Sequence, residues 1–303
     1  MSSRNAVIVM LVCAAALVPL PWLLSDFLLS LALGCLMYIG LTVSWSMFCG
    51  VTNYLSLATA AFFGIGAYVT AWGADTLPYA LAVPLGGVIA AVFAALVGAA
   101  VLHLRGAYFA VITFGLGELV RLAITYYEKT YEGTVGRIIA SQPDQYVVYL
   151  TVLALALAAT ATAFAVRRSR LGLALAGIGA DEERARTLGV NTRRAKVLAF
   201  AVSAFFAGAL GAAMAVRWTY IDPPTVFNPF IGFQTVLIAM VGGAQTMIGP
   251  ILSSVVFSLL TEFLRLRFPY VFLILLGGLL IVLVLYLPGG LASLLARRGR
   301  SRA

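Results

Sequence analysis

An all-α, polytopic transmembrane helical bundle of about ten spans is the fold class this chain predicts, and three observations carry it. Hydrophobic residues make up 62% of the 303 and charged residues only 10%, against roughly 45–50% and 25% in a soluble domain. Apolar runs repeatedly reach the roughly 20 residues that a helix needs to cross hydrocarbon. Basic residues collect in alternate connections between those runs. Backbone polar groups in lipid must be bonded internally, so apolar runs of this length read as helices. The alternating segments of about ten residues that a membrane barrel shows are not seen.

In chain order the runs place spans at 6–24, 28–48, 54–73, 79–102, 107–127, 146–166, 196–216, 230–246, 249–265 and 270–288. Residues 1–24 resemble a cleavable signal, with Arg4 ahead of an apolar stretch containing Cys13-Ala-Ala-Ala. The apolar run continues to Leu24, and an even span count with both ends inside requires it, so it is kept as the first helix. Glycine and proline cluster at Val241-Gly242-Gly243 and Ile248-Gly249-Pro250. Irregular backbone is expected there, and the eighth and ninth segments are candidates for broken or re-entrant helices. No linker or low-complexity stretch divides the chain, so residues 1–303 read as one membrane domain. Its longest polar interruption toward the inside is 167–195.

The charges sort by side. With both termini inside, the inner side receives Arg4, Arg105, Arg167, Arg168, Arg170, Arg184, Arg186, Arg193, Arg194, Lys196, Arg297, Arg298, Arg300 and Arg302, most of the 20 basic residues. Lys129, Arg137, Arg217, Arg265 and Arg267 fall outside, where Asp26, Asp75, Glu128, Glu132, Asp144 and Asp222 outnumber them. This is the positive-inside pattern, with both termini cytoplasmic. The net charge of +9 then needs only topology and anionic membrane lipid, not nucleic acid.

Several chemistries are excluded. The lysines Lys129 and Lys196 follow Glu128 and Ala195, never a glycine, so there is no G-x-x-x-x-G-K-[ST] loop and the chain is not its own ATPase. Cys13, Cys35 and Cys49 sit in apolar runs as small hydrophobes, and His103 is the single histidine, so no metal site is expected. No nucleophile, base and acid constellation supports an enzyme, and no cofactor is expected.

Four segments carry the functional readings. The third contains Ala61-Phe-Phe-Gly-Ile-Gly-Ala-Tyr68, preceded by Asn53, Ser56 and Thr59. Its small residues serve close helix packing, and a helix lining a path is the alternative. The fifth begins Leu104-Arg-Gly-Ala-Tyr-Phe-Ala-Val-Ile-Thr113 and carries Glu118 and Arg121. At a spacing of three these share a helix face and can pair, either as a structural lock or along a substrate path. The seventh has two small-residue rows, Ala204-Gly208-Ala212 and Ser203-Ala207-Gly211-Ala215, suited to tight crossings. Between the sixth and seventh lies a polar segment with Asp181, Glu182 and Glu183 early and Arg184 and Arg186 later, favourable to a helix dipole. Gly189 and Asn191 give that short helix an end.

The last segment closely resembles the cytoplasmic coupling segment of LivM-type permeases of branched-chain amino acid ABC transporters. The resemblance runs Arg170-Leu-Gly-Leu-Ala-Leu175, Asp181-Glu-Glu-Arg-Ala185, Leu188-Gly-Val-Asn191, Lys196, Ala199-Phe200 and Ser203-Ala204. Ser56 to Tyr68 is similar to the family's S-L-x-x-A-A-F-F-G-I-G-A-Y, and Leu104 onward to its L-R-G-x-Y-F-A with the following T and E-x-x-R. Met240-Val-Gly-Gly243, Ile248-Gly-Pro250, Leu275-Leu-Gly-Gly-Leu279 and Leu287-Pro-Gly-Gly-Leu291 extend the likeness over about residues 28–291. Two departures stand out: Gly179 where the family commonly has arginine, and Glu132-Gly-Thr-Val-Gly136 in place of T-G-G-x-x-G.

What the resemblance implies is a multi-pass permease subunit of an ATP-driven importer in a bacterial inner membrane. It would move a small polar solute, a branched-chain or other hydrophobic amino acid, by alternating access. Urea, amide and aromatic-acid systems share these motifs. The implied partners are a LivH-type permease, two cytoplasmic ATPase subunits that bind the ATP, and an extracytoplasmic solute-binding protein. Asp181, Glu182, Glu183, Arg184, Leu188 and Gly189 would then couple to an ATPase, and Asn53, Ser56, Thr113, Glu118 and Arg121 are candidates for the path or an intramembrane pair. The rival reading is a stand-alone ion-coupled carrier or channel using Glu118, Arg121 or Glu262, which would have no need of the 167–195 segment.

Overall fold

A computed structural model describes residues 17–23, 25–74, 76–139, 143–271, 274–275 and 277–278. The expected spans 6–24 and 270–288, Cys13 and the motif ending at Leu291 lie wholly or largely outside them. In order, the elements are α1 (Leu20–Leu23), α2 (Asp26–Thr52), α3 (Thr59–Gly73), α4 (Tyr79–Val101), and α5 (Ala107–Tyr127), which a π-helical turn (Glu128–Glu132) continues. There follow β1 (Arg137–Ile138), α6 (Gln145–Arg168), α7 (Arg170–Ala180), α8 (Glu182–Thr187) and α9 (Thr192–Ala215). The chain then forms β2 (Tyr220–Ile221), α10 (Pro223–Val226), α11 (Pro229–Gly242) and α12 (Gly249–Arg267). Among the described residues, seven stretches are long and apolar enough to cross a membrane: α2, α4, α5 with its π turn, α6, α9, Pro223–Gly242 and α12.

The third expected span, 54–73, is not one helix. Only α3 is helical, and its 15 residues reach about 22 Å, short of a hydrocarbon core of roughly 30 Å. The break comes from Asn53, which caps α2 in the left-handed conformation with its N–H on Cys49 O. An extended stretch follows, and its polar groups are satisfied inside the protein as an apolar setting demands. Trp45 Nε1 donates to Ser56 O at 2.8 Å, Leu57 N to Thr113 Oγ1 at 3.0 Å, and Ala58 N to Ser56 Oγ at 3.3 Å.

The irregular backbone expected near the eighth and ninth segments is present, between the helices. α11 has 14 residues and α12 has 19, and the connection 243–248 starts at Gly243 with φ 89. Arg167, from the end of α6, closes this connection by donating to the carbonyls of Ala244, Gln245 and Thr246 at 3.3, 2.6 and 3.2 Å.

α9 is the axis of the bundle, packed against α4, α3, α2 and α6. Its small-residue rows do what the sequence predicts: Ala204, Ala207, Gly208, Gly211, Ala212 and Ala215 are buried, and the backbones of α3, α4 and α9 touch. A Cβ on Gly66 would collide with Gly208 O, and one on Gly211 with Phe63 O. Such approach replaces the hydrophobic drive that lipid does not supply. α5, by contrast, lies at the edge, with Tyr108, Val111, Leu119 and Leu122 turned outward. Cys49 is buried and Cys35 half-buried.

Alternate helix ends define two poles. One carries α7, α8, the 102–106 turn and the 243–248 connection. The other carries the antiparallel pair of β1 and β2, with Arg137 opposite Ile221 and Ile138 opposite Tyr220.

Candidate coupling site

The polar segment between α6 and α9 is built from capped turns. Ser169 stops α6 and caps α7, accepting from Gly172 N at 3.3 Å. Asp181 stops α7 and caps α8, its Oδ1 accepting from Glu183 N at 3.0 Å and Arg184 N at 3.2 Å. Side-chain caps of this kind satisfy the first free N–H groups of a helix. Gly189, at φ 83, ends the turn after α8, with its N–H on Arg186 O at 2.9 Å and that of Val190 on Ala185 O at 3.1 Å. Left-handed backbone here favours glycine. Asn191 then caps α9, accepting from Arg194 N at 3.0 Å.

α8 therefore has two faces. Glu183, Arg184, Leu188 and Gly189 are exposed, Leu188 at 83%, and Asp181 is half-buried. Glu182 points the other way. Although it was read with its neighbours as part of a polar surface helix, it is buried, and four other side chains converge on it. Lys196 Nζ donates to its Oε1 at 2.8 Å, and Arg186 donates to the same oxygen at 3.1 Å. Tyr54 donates its hydroxyl to Oε2 at 2.7 Å, and the Arg105 guanidinium stands 3.2 Å from that oxygen.

This cluster knots four parts of the chain together. Tyr54 comes from the break after α2, Arg105 from the turn before α5, Glu182 from α8 and Lys196 from the first turns of α9. Lys196 is itself buried and fully used: its Nζ also donates to Leu102 O at 2.7 Å and to Tyr54 Oη at 3.0 Å. It lies 4.7 Å from the Tyr54 ring centroid, a cation–π distance. Tyr54 packs edge-on against Phe109, 5.4 Å between centroids.

Burial alone would push the Glu182 carboxyl up. The hydrogen bonds from Lys196 and Tyr54, with the charges of Lys196 and Arg105, outweigh it and hold the group at about 2. Arg105 is raised in turn, chiefly by Glu182. Glu182 is thus an anion throughout the neutral range, and α8 is fastened to α9 by charge-assisted bonds with both carboxylate oxygens in use.

Asn53 belongs to this pole. Its Nδ2 donates to Gly179 O at 3.1 Å, fastening α7 to the end of α2. Gly179 is a departure from the resembled pattern with a steric reason, since a Cβ there would collide with the Val51 carbonyl. Ser56 and Thr113 both brace the 53–58 break inside the bundle, the Ser56 hydroxyl accepting from Ala58 N and that of Thr113 from Leu57 N. Thr113 also donates to Phe109 O or Ala110 O, at 2.9 and 3.0 Å. Glu118 and Arg121 form the pair their spacing suggests, with Arg121 Nη2 at 2.6 Å and Nε at 2.9 Å from Glu118 Oε2. They sit apart from the other candidates, half-buried on α5.

Sequence reasoning did not pick out Tyr54 or Arg105 as site residues, and Lys196 appeared only as a position in a motif. A signal existed for Lys196: a lone lysine at the head of a long apolar helix needs a counter-charge. Tyr54 offered none.

The chain matches, over residues 27–284, the family described as "Branched-chain amino acid transport system / permease component". It is 27% identical over 307 residues to the high-affinity branched-chain amino acid transport system permease protein LivM of Escherichia coli K12, covering 89% of this chain and 71% of that protein. To the protein of the same name from Salmonella typhimurium LT2 it is 28% identical over the same coverage. No solved structure matches. With a family match running through nearly all the described spans and the polar segment between them, the chain belongs to the permease components of branched-chain amino acid transport systems.

Proposed function

We propose that this chain is the LivM-type permease subunit of an ATP-driven importer that carries branched-chain or other hydrophobic amino acids across a bacterial inner membrane. Residues 1–303 act as one membrane domain of about ten spans with both termini cytoplasmic. The fourteen basic residues that the positive-inside pattern assigns to the inner side support a cytoplasmic position for α7 and α8. Two ATPase subunits bind and hydrolyse the ATP there, so this chain needs no cofactor of its own. A LivH-type permease supplies the other half of the path, and an extracytoplasmic binding protein delivers the solute to the opposite pole.

One observation carries the mechanism: α8 and the turn after it expose Glu183, Arg184, Leu188 and Gly189, while the inner face of α8 is fastened through Glu182 to Lys196 on α9. An ATPase that grips the exposed face and moves it must move the base of the central helix. Because α9 packs on α3 and α4 with backbones in contact, the displacement is passed on as a rigid shift and is not absorbed by side chains.

The test uses the assembled importer in proteoliposomes. Cysteines placed at Glu183 and Leu188 should crosslink to an ATPase subunit. Glu183→Arg combined with Arg184→Glu should leave the complex assembled and hydrolysing ATP while uptake falls about tenfold or more, the loss a small docking-energy deficit of about 1.4 kcal/mol brings. Unchanged uptake together with no crosslink from either cysteine would overturn the coupling assignment.

A further inference from the structure

At the pole opposite the coupling segment, a cavity of about 500 Å³ lies between α2, α11, α12 and the end of α9. That volume is within the range of small-molecule sites, roughly 300–1,000 Å³. Its lining has three parts with different chemistry. Met214, Trp218 and Phe230 give an apolar wall. A polar run crosses it: Tyr38 donates to Gln234 Oε1 at 2.8 Å, and Gln234 Nε2 donates to Thr261 Oγ1 at 3.5 Å. Arg217, from α9's end, and Glu262 and Arg265, from α12, bring two cations and one anion.

These groups are under-used by the protein itself. Arg217 donates to the Ser30 hydroxyl at 3.1 Å, and among the described residues no carboxylate pairs with it. Glu262 has one loose ion pair, 4.0 Å to the exposed Arg265. Ser258, only 8% exposed, lines the same cavity. Beyond a place beside the weakly accepting Cys35 thiol, its buried hydroxyl makes no hydrogen bond. Buried hydroxyls are nearly always satisfied, by protein or by something bound. A cation without a carboxylate, an anion only loosely held by the solvent-facing Arg265, a spare hydroxyl and an apolar wall around one cavity match the parts of a free amino acid.

We propose that this cavity is a transport subsite for a zwitterionic amino acid with an apolar side chain. Arg217 takes the carboxylate, Glu262 the ammonium, Ser258 a further hydrogen bond, and Met214, Trp218 and Phe230 the side chain. The assignment rests on the permease reading and adds to it the residues that touch the solute. It also separates amino acids from ureas and amides, which lack the paired charges the site is built to meet.

The experiment measures saturable binding of labelled leucine to the purified permeases with their ATPases, free of the solute-binding protein, and, with that protein added back, ATP-driven leucine uptake in proteoliposomes. Valine and isoleucine should compete for binding, whereas 3-methylbutylamine and 4-methylpentanoate, each lacking one charge, should not. Arg217→Met and Glu262→Gln should each weaken binding and raise the half-saturating concentration for uptake about 10- to 100-fold, the range for losing a hydrogen bond to a charged group. Ser258→Ala should cost a few-fold, and Arg217→Lys should recover part of the Arg217→Met loss, which a merely misfolded variant would not. The subsite is overturned if the wild-type complex free of the solute-binding protein binds no leucine saturably, if the singly charged analogues compete as well as valine, or if both charge variants take up leucine as the wild type does. In that last outcome wild-type uptake still stands, so the permease reading survives; absence of ATP-driven uptake by the wild type would instead count against that reading, leaving the binding arm to judge the subsite.

Discussion

Glu182 and Glu128 are buried carboxylates at opposite poles of the same bundle, and they are held in different ways. Glu182 uses both oxygens, and its partners come from positions as far apart in the chain as Tyr54 and Lys196. Glu128 uses one. Its Oε2 accepts from Gly136 N at 2.9 Å and from the Tyr68 hydroxyl at 3.3 Å, while Oε1 has no hydrogen-bond partner. Arg137 Nε, also buried and without a hydrogen bond, stands 3.9 Å away, and the same guanidinium is drawn to Glu132. Except for Tyr68, the hydrogen-bond and ion-pair partners of Glu128 come from residues 128–137. The first carboxylate joins distant elements and so can carry motion between them; the second closes a loop largely on itself.

The largest effect should come from breaking the first. Glu182→Ala leaves Lys196 buried and stripped of its carboxylate, which costs about 3–5 kcal/mol when one partner of a buried pair is removed. Thermal unfolding in detergent should show the loss, and trypsin should cut faster at Arg184 and Arg186 once α8 is released. Glu182→Gln tests the charge alone and should fall between wild type and Glu182→Ala. The same anchor sets an acid limit. Its carboxyl is depressed from 4.5 to about 2, so its contribution is complete above about pH 4.5 and is lost as pH falls toward 2. Protection of Arg184 against an acid-stable protease's nearby cuts should be flat from pH 5 to 8 and decline below, and Glu182→Gln should remove that decline.

Breaking the second should cost less. Glu128→Gln keeps an acceptor for Tyr68 and Gly136 and gives up a charge whose other oxygen is unbonded, so about 1–3 kcal/mol, the range for a disturbed buried hydrogen bond, is expected. Arg137 retains Glu132. If Glu128→Gln proved as damaging as Glu182→Ala by thermal unfolding, the contrast between a cross-linking anchor and a local one would fail.

How much of this was legible in the chain follows from the range of each interaction. The small rows of α9 are a local pattern, and Gly208 and Gly211 meet α4 and α3 as such rows predict. The polar segment was visible because it interrupts two apolar runs, and the end of its short helix was visible at Gly189, whereas Asn191, expected at that same end, instead caps the start of α9. The glycine and proline near 243 and 249 marked a real connection. Hydropathy could not see the 53–58 break, because Tyr54, Leu55, Leu57 and Ala58 are as apolar in an extended stretch as in a helix; only Asn53 hinted at it. Nor could it orient Glu182. Three acidic residues in a row look alike in sequence, and the inward one is chosen by Lys196, Arg105 and Tyr54, which tertiary packing alone brings together.

The smallest effect should come from a third pair, which is neither buried nor tied to another element. Glu118 and Arg121 bond to each other on α5 with about 30% of each side chain exposed, on a helix whose outward face is otherwise apolar. Among the described residues the bonds these side chains make are to each other, so a double-mutant cycle through Glu118→Ala, Arg121→Ala and both together reports their coupling. Polar pairs within membrane helices couple by about 0.6 kcal/mol on average, because even the disrupted state finds other partners. Coupling of that size is expected in thermal unfolding, with the double variant less damaged than the two single losses added. Strictly additive losses would mean that the two charges face different surroundings when the bundle is assembled. Coupling of several kcal/mol would place them with Glu182, as an anchor that a partner subunit's surface completes by sealing them from water.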